Sequence, residues 1–210
     1  MVQGVRTAKS KQARAGLLQP ATLLDLVVYH KPQTSLNRLR EFQPAYLYTS
    51  LQQEVIKNSI ALFSAEVLLR LLPEHAPMPE LFEMAFDYYC QLDKRPNDEV
   101  ANFPVYFVIA CSQVLGYEIH GNYSAATPYL SLHEGAFTAT PPAIDNLLQD
   151  EDIKMMARLL EVNDISELPA IEMNGALRNR LLDWYIEFLH RHTQHMGSIK
   201  SLAVLRTILH

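Results

Sequence analysis

The chain has 210 residues, 49% of them apolar and 20% charged, a globular composition that excludes a disordered chain. Its most apolar stretches, 60–72 and 105–109, fall short of the ~18–20 residues that span a bilayer, which excludes a membrane-spanning helix. The first 16 residues are basic but lack an apolar core, so no signal peptide is visible. Two cysteines, Cys90 and Cys111, are too few for a disulfide scaffold or a four-thiolate zinc site, which fits a reducing cytoplasm.

Charge is distributed unevenly along the chain. Residues 1–40 contain seven Lys or Arg and one acid, Asp25, and so carry a net charge of +6. The other 170 residues contain 11 basic and 22 acidic side chains and carry −11. This asymmetry indicates an end of the chain that faces a polyanion. A basic tail that only adds solubility is the alternative.

The first elements are predicted to be β-strands. Apolar residues do not recur at regular spacing in residues 1–16, which predicts a loop, or a loop that ends in a strand. The run 23–29 is rich in β-formers and predicts a strand with Leu24, Leu26 and Val28 on one face.

A turn at 31–35 leads into a second predicted strand. Residues 36–42 alternate weakly, which predicts Leu36, Arg38, Arg40 and Phe42 on one side. The two strands predict an antiparallel pair that Pro44 closes.

After this pair the pattern is mostly helical. Ser50 and Gln53 match a capping box and predict a helix over 51–72 that is buried on most sides. A second helix is predicted over 80–92, with Pro79 at its first position. A third helix ends at 115, before Gly116; it starts either near Asn97, with a kink at Pro104, or at Asn102.

The later part of the chain alternates between irregular and helical stretches. Residues 117–145 are rich in Gly and Pro, and 129–140 predict a small hairpin around Glu134-Gly135. Helices are predicted over 150–162, from the cap Asn174 to His195, and from the cap Ser198 to Leu209.

Five pieces of this sequence resemble the RecO family of bacterial recombination mediators, in that family's order and spacing. The pieces are Gly4-Val5-Arg6 with Ser10-Lys11 and Leu17-Leu18-Gln19-Pro20, Leu39-Arg40-Glu41, Phe107 to Gly116-Tyr117, Leu132-His133-Glu134-Gly135-Ala136-Phe137, and Gly197-Ser198-Ile199-Lys200-Ser201. Among members of this family, the sequence most resembles those of Bacteroidetes, which lack zinc.

The resemblance implies a mainly α protein with a small β part. An incomplete OB-fold over residues 1–48 would precede a helical RecO-type domain over 49–210, with the hairpin inserted at about 117–145. In the family about three OB strands precede the G-x-R loop, so we expect a truncated or late-started chain, or a barrel completed by a neighbouring chain. Many family members carry a cysteine zinc motif in the region of 117–145, which here has no cysteine.

The resemblance also implies a function without catalysis, cofactor or metal. RecO-like proteins bind single- and double-stranded DNA, anneal strands, and help to load RecA together with RecR and single-strand-binding protein. The expected location is the cytoplasm, in association with the nucleoid and not with a membrane. The alternative is a helical protein–protein adaptor that does not bind DNA and whose β segment completes another chain's sheet.

Lys and Arg on a loop suit DNA phosphates, because their contacts release counterions whatever the base sequence. Given the resemblance, the first-choice DNA-binding residues are Arg6, Lys9, Lys11 and Arg14. Arg38, Arg40 and Lys200 would extend this surface. The alternatives are a solvated barrel exterior for the two strand arginines and a packing role for Lys200.

Other candidate sites carry simpler explanations. The family's pocket for the tail of single-strand-binding protein would involve Lys57, Phe63 and Arg70, although core packing explains Phe63 equally well. Three groups have ordinary structural interpretations: histidines at a helix C-terminus, acids at a helix start, and thiols or aromatic rings in the core. They are, respectively, His190, His192 and His195; Asp150, Glu151 and Asp152; and Cys90, Cys111, Trp184, Tyr185 and Phe188.

Overall fold

The computed structural model describes residues 17–29, 37–73, 76–142, 148–194 and 196–209. Within these ranges two small antiparallel sheets accompany a majority of helices, which confirms the predicted mainly α class. The division into domains at residue 48 stays a prediction. In chain order the elements are β1 (Leu24–Tyr29), β2 (Arg38–Pro44), α1 (Val55–Leu71), α2 (Pro79–Lys94), α3 (Phe103–Val114), β3 (Tyr129–Ser131), β4 (Ala136–Thr138), α4 (Asp150–Leu160), a 3-10 helix (Ile165–Ala170), α5 (Gly175–His192) and α6 (Ser201–Ile208).

The predicted antiparallel pair is confirmed, but its alternation is not. Val28 pairs with Leu39 and Val27 pairs with Glu41, so Arg40 is the extra residue of a β-bulge. The bulge reverses the faces beyond this point and places Phe42 opposite Leu26, on the apolar side of the hairpin. The predicted turn at 31–35 lies outside the described residues.

The first long helix begins later than its capping-box pattern predicts. Residues 51–53 form a turn, and Glu54 is the N-cap of α1. Ser50 does not cap a helix, because its hydroxyl donates to the main-chain carbonyl of Asp93 at 2.6 Å. A long-range hydrogen bond has replaced the local one.

Helix α3 forms the centre of the core. It packs against α1, α2, α5 and the 3-10 helix, and most of its residues are buried. Asn102 is its N-cap and Gly116, with a φ of 79°, follows its end as predicted. The two thiols, Cys90 and Cys111, are buried, as the sequence indicated.

The small hairpin β3–β4 is confirmed and packs close to α5. Gly135 lies between its strands with a φ of 59°, and a Cβ there would come within 2.8 Å of Phe188 Cε2. Phe188 stacks in parallel with Trp184 at 5.9 Å and edge-on with Tyr185 at 5.4 Å. These aromatic rings are core, as predicted.

The C-terminal helices confirm their predicted positions with shorter ends. Asn174 caps α5 through a 2.8 Å bond from Leu177 N–H, and that helix ends at His192 rather than at His195. Helix α6 begins at Ser201, so the predicted cap at Ser198 is wrong.

Candidate nucleic-acid interface

The exposed polar face of the first hairpin carries Tyr29, Arg38 and Arg40. Tyr29 pairs directly with Arg38, so the two side chains share a face. The guanidinium carbon of Arg40 lies 5.8 Å from the centroid of the Tyr29 ring, within range of a cation–π contact. Arg40 also forms a 3.0 Å ion pair with the exposed Glu41. The two predicted arginines therefore lie together, beside an aromatic ring.

Each strand also contributes a polar side chain to the same face, Asp25 from β1 and Gln43 from β2. Gln43 donates a 3.1 Å hydrogen bond to the carboxylate of Asp25, its direct partner across the hairpin. The opposite face is apolar, with Leu26 and Val28 on one strand and Phe42 on the other. The bulge thus sorts this hairpin into a polar face and an apolar face.

The start of β1 is tied to the segment that follows β2. Pro20 and Ala21 form a turn closed by a hydrogen bond from Thr22 N–H to the Gln19 carbonyl, and Ala21 has a φ of 63°. The Tyr48 hydroxyl donates to the Ala21 carbonyl at 2.6 Å. This contact gives the L-Q-P piece of the sequence a structural role.

Asp93, at the end of α2, joins the hairpin to the helices. Its buried carboxylate accepts hydrogen bonds from the backbone N–H groups of Thr49, Ser50 and Leu51, at 2.7–3.1 Å, and from the Thr49 hydroxyl at 2.9 Å. Burial by itself raises the pKa of Asp93, but these hydrogen bonds outweigh it and lower the pKa to about 2. Sequence reasoning missed Asp93, because nothing local distinguishes it from a surface acid near a helix end.

Lys57 belongs to the same junction and not to a partner pocket. Only 4% of Lys57 is exposed, and its ammonium donates to the Asp93 carbonyl at 2.9 Å and to Ser50 Oγ at 2.6 Å. The prediction that Lys57 lines a surface pocket is therefore wrong. Its charge serves to join α1 to the end of α2.

The other two residues of the predicted pocket do not form one either. Phe63 is fully buried in the core, so it offers no surface to a peptide. Arg70 lies one turn from Glu66 and forms an ion pair with it at 3.7 Å. The structure does not bring Lys57, Phe63 and Arg70 together at the surface.

Lys200 is exposed and is the N-cap of α6. Its backbone N–H and that of Ser201 donate to the Glu66 carboxylate at 3.0 and 2.8 Å, and the Ser201 hydroxyl donates at 2.6 Å. Burial by itself raises the pKa of Glu66, but the hydrogen bonds from Ser201 and Lys200 leave it below its usual range. The G-x-I-K-S piece is therefore a helix start bound by a distant carboxylate, another residue that sequence reasoning missed.

The four first-choice DNA-binding residues, Arg6, Lys9, Lys11 and Arg14, lie outside the described residues. Within the described ranges there is no cluster of three or more His, Cys, Asp or Glu arranged to hold a metal ion. His192 instead bonds the Leu132 carbonyl at 3.1 Å, and Asp152 forms two bonds to Arg180 at 2.7 and 2.8 Å. Every helix in the described part is too short or too polar to cross a lipid bilayer.

Comparison with known proteins decides the family. The model of the family described as Recombination protein O C terminal matches residues 52–203, well over half of the chain. The chain belongs to the RecO family. The match covers α1 through the start of α6, so the first hairpin lies outside it.

Individual RecO proteins extend the similarity to the hairpin. The DNA repair protein RecO of Bacteroides fragilis is 28% identical over 207 residues, which cover 97% of this chain and 85% of the relative. That of Christiangramia forsetii is 26% identical over 208 residues, covering 99% and 85%, and that of Flavobacterium johnsoniae is 22% identical over 211 residues, covering 99% and 84%. No solved structure matches the chain. These RecO relatives support a role in DNA repair and recombination and bear out the resemblance to Bacteroidetes members.

Proposed function

We propose that this RecO-family chain is a non-catalytic recombination mediator that binds single- and double-stranded DNA and anneals complementary strands. The observation that carries the proposal is the net charge of +6 on residues 1–40 in a chain of this family whose remainder carries −11. A segment of this sign attracts a polyanion, while the acidic helices repel it. DNA binding is thereby directed to one end of the chain.

The chemistry of the proposed interface suits strands of any sequence. Lys and Arg neutralise phosphates without reading bases, and an aromatic ring beside guanidinium groups provides a surface on which a base can stack. Arg6, Lys9, Lys11 and Arg14 supply cations, and the exposed hairpin adds Arg38 and Arg40 beside the ring of Tyr29. Neutralising the phosphates of two strands together lowers their repulsion, which is what annealing requires.

The proposed partners follow from the family. We infer that the chain acts with RecR and single-strand-binding protein in loading RecA, at the nucleoid in the cytoplasm. Because Lys57 and Phe63 are buried, we do not assign binding of the tail of single-strand-binding protein to them.

A salt titration with a labelled oligothymidine tests DNA binding. We expect the affinity of the wild-type chain to fall steeply between 50 and 200 mM salt, by roughly 300-fold if six single-strand phosphates are contacted. Changing Arg6, Lys9, Lys11 and Arg14 together to Ala should remove most of the binding. The slope of log affinity against log salt should become less negative by about 3, since ~0.7 counterion is released per single-strand phosphate.

The matched control removes four exposed cations from the helices. We expect Lys94, Lys154, Arg158 and Arg191, changed together to Ala, to leave the affinity and the slope nearly unchanged. If the variant that lacks Arg6, Lys9, Lys11 and Arg14 binds DNA as tightly as the wild type, the assigned site is refuted. An equal loss in both variants would show that only net charge matters.

A second candidate function is an adaptor whose hairpin pairs with another protein's sheet. It is favoured by one observation, the half-exposed apolar side chains of β1, where Leu26 is 49% and Val28 is 48% exposed. The adaptor predicts partner binding that does not respond to salt. Absence of oligonucleotide binding at 50 mM salt would favour it over the mediator.

A further inference from the structure

The outer side of α2 presents an aromatic pair among carboxylates. Phe82 is 59% exposed, and its ring lies 6.0 Å from that of Phe86. Glu80, Glu83 and Asp87 are exposed on the same helix, and none of them forms an ion pair with another described residue. An exposed aromatic ring flanked by unpaired acids is suited to bind Lys or Arg side chains, through cation–π contacts and charge.

Tyr106 on α3 experiences acids of α2 and of the 3-10 helix region. Burial raises the pKa of the Tyr106 hydroxyl on α3, and the nearby acids Asp164, Asp87 and Glu167 raise it further. Asp87 of α2 and two acids of the 3-10 helix region, Asp164 and Glu167, therefore act on the same hydroxyl. Arg95, a basic side chain near Asp164, already forms a 3.1 Å ion pair with Glu99.

The same face of α2 leads to the N-terminal part of the chain. Phe82, Phe86 and Asp93 share a helix face, since 11 and 7 residues correspond to nearly whole numbers of turns. Asp93 binds the backbone N–H of Thr49, and the adjacent Tyr48 holds the Ala21 carbonyl. Ala21 is thus connected to the C-terminal end of α2 through Tyr48 and its neighbour Thr49.

We propose that the α2 surface formed by Glu80, Phe82, Glu83, Phe86 and Asp87 binds the basic segment Arg6–Arg14 of the same chain. That segment contains four Lys or Arg and no acid, which complements the surface in charge. Arg14 and Arg6 stand three and eleven residues before Leu17, so an extended chain reaches ~10 to ~40 Å from it. Glu80 stands thirteen residues before Asp93, about 20 Å along the helix, a length comparable to this reach.

This contact has a consequence that rests on the proposed function. Because the same cations are assigned to DNA phosphates, the α2 surface and DNA compete for the segment. The surface then acts as an internal competitor that favours release of weakly bound DNA. The contact between the basic segment and the α2 surface does not depend on DNA binding and can be measured without DNA.

A labelled synthetic peptide with the sequence of residues 1–16 is the probe. The receiver is the full chain with Arg6, Lys9, Lys11 and Arg14 changed to Ala, which leaves the α2 surface free. We expect salt-sensitive binding of the peptide. Adding Phe82→Ala, Glu83→Gln and Asp87→Asn to the receiver should weaken binding by at least about fivefold.

The matched receiver carries Leu69→Ala, Glu118→Gln and Glu172→Gln, which also remove one exposed apolar side chain and two exposed acids. We expect it to bind the peptide as tightly as its parent. Equal weakening in both receivers, or no peptide binding at 50 mM salt, would overturn the proposal. Circular dichroism of each variant excludes loss of the fold as the cause.

The intact chain provides an independent measurement. Phe82→Ala with Glu83→Gln and Asp87→Asn should raise its affinity for an oligothymidine, because the basic segment is released. Peptide binding together with absent DNA binding would refute the proposed function and leave the contact standing. DNA binding without peptide binding would refute the contact and leave the proposed function standing.

Discussion

The ammonium nitrogen of Lys57 lies 2.9 Å from the main-chain carbonyl oxygen of Asp93. This contact joins the first turn of α1 to the end of α2, and the Asp93 carboxylate extends the junction to Thr49, Ser50 and Leu51. The hairpin and the helices of this RecO-family chain are therefore connected through buried polar groups. Five measurements test the importance of these and related contacts.

Replacing Asp93 should strongly destabilise the fold. Asp93→Ala leaves three backbone N–H groups and a hydroxyl without their acceptor, so we expect a loss of about 3–5 kcal/mol in the free energy of unfolding. Urea denaturation followed by circular dichroism measures it. The exposed Asp98→Ala is the control and should change stability by less than about 0.5 kcal/mol.

Acid should weaken the same junction. The pKa of Asp93 is about 2 in the folded chain and 3.8 ordinarily, so the carboxylate stabilises the fold above about pH 4. This contribution, about 2 kcal/mol, is lost as the pH falls through 2. Urea midpoints at pH 5 and pH 2.5 measure the change. Asp93→Asn should show a smaller pH dependence than the wild type, and an equal dependence would contradict the assignment.

Lys57 should behave as a structural residue. Lys57→Met keeps the aliphatic stem and removes the donor to Asp93 and Ser50, which should cost about 1–3 kcal/mol. Thermal unfolding measures the loss. Lys94→Met, at an exposed position on α2, should have almost no effect. Equal stability of the two variants would mean that the buried ammonium contributes nothing.

Glu66 should hold the start of α6. Glu66→Ala removes the acceptor of the Lys200 and Ser201 N–H groups, and we expect a loss of about 0.5–2 kcal/mol. Hydrogen exchange should show faster exchange confined to the amides of α6. Uniform acceleration over all helices would instead indicate global destabilisation.

Gly135 should tolerate no side chain. Gly135→Ala places a methyl group 2.8 Å from Phe188 Cε2 at a φ of 59°, so strain and overlap should together cost more than about 2 kcal/mol. Gly116→Ala, at a φ of 79° but in open space, should cost only the backbone term of about 1 kcal/mol. Thermal unfolding of the two variants separates overlap from strain.

Local patterns in the sequence were sufficient for most elements of this fold. Pro79 at a helix start, Gly116 after a helix end, the cap at Asn174 and the hairpin around Gly135 were all recognisable, because each depends on neighbours within a few residues. The charge asymmetry between the two parts of the chain was equally readable. The resemblance to the RecO family could be stated from five short pieces before any contact was known.

Local sequence patterns could not predict the junction around Asp93, the bulge in the hairpin or the burial of Lys57. Ser50 matches a helix cap but donates to Asp93, 43 residues away, and the bulge at Arg40 turns Phe42 to the other face of the hairpin. Lys57 resembles a surface cation yet is buried between two helices. Composition and local pattern set the helices, the strands and the charge of each region, because those depend on short-range backbone preferences. The burial of a particular Asp, Glu or Lys depends on which distant N–H or carbonyl groups the packed chain brings within 3 Å of it.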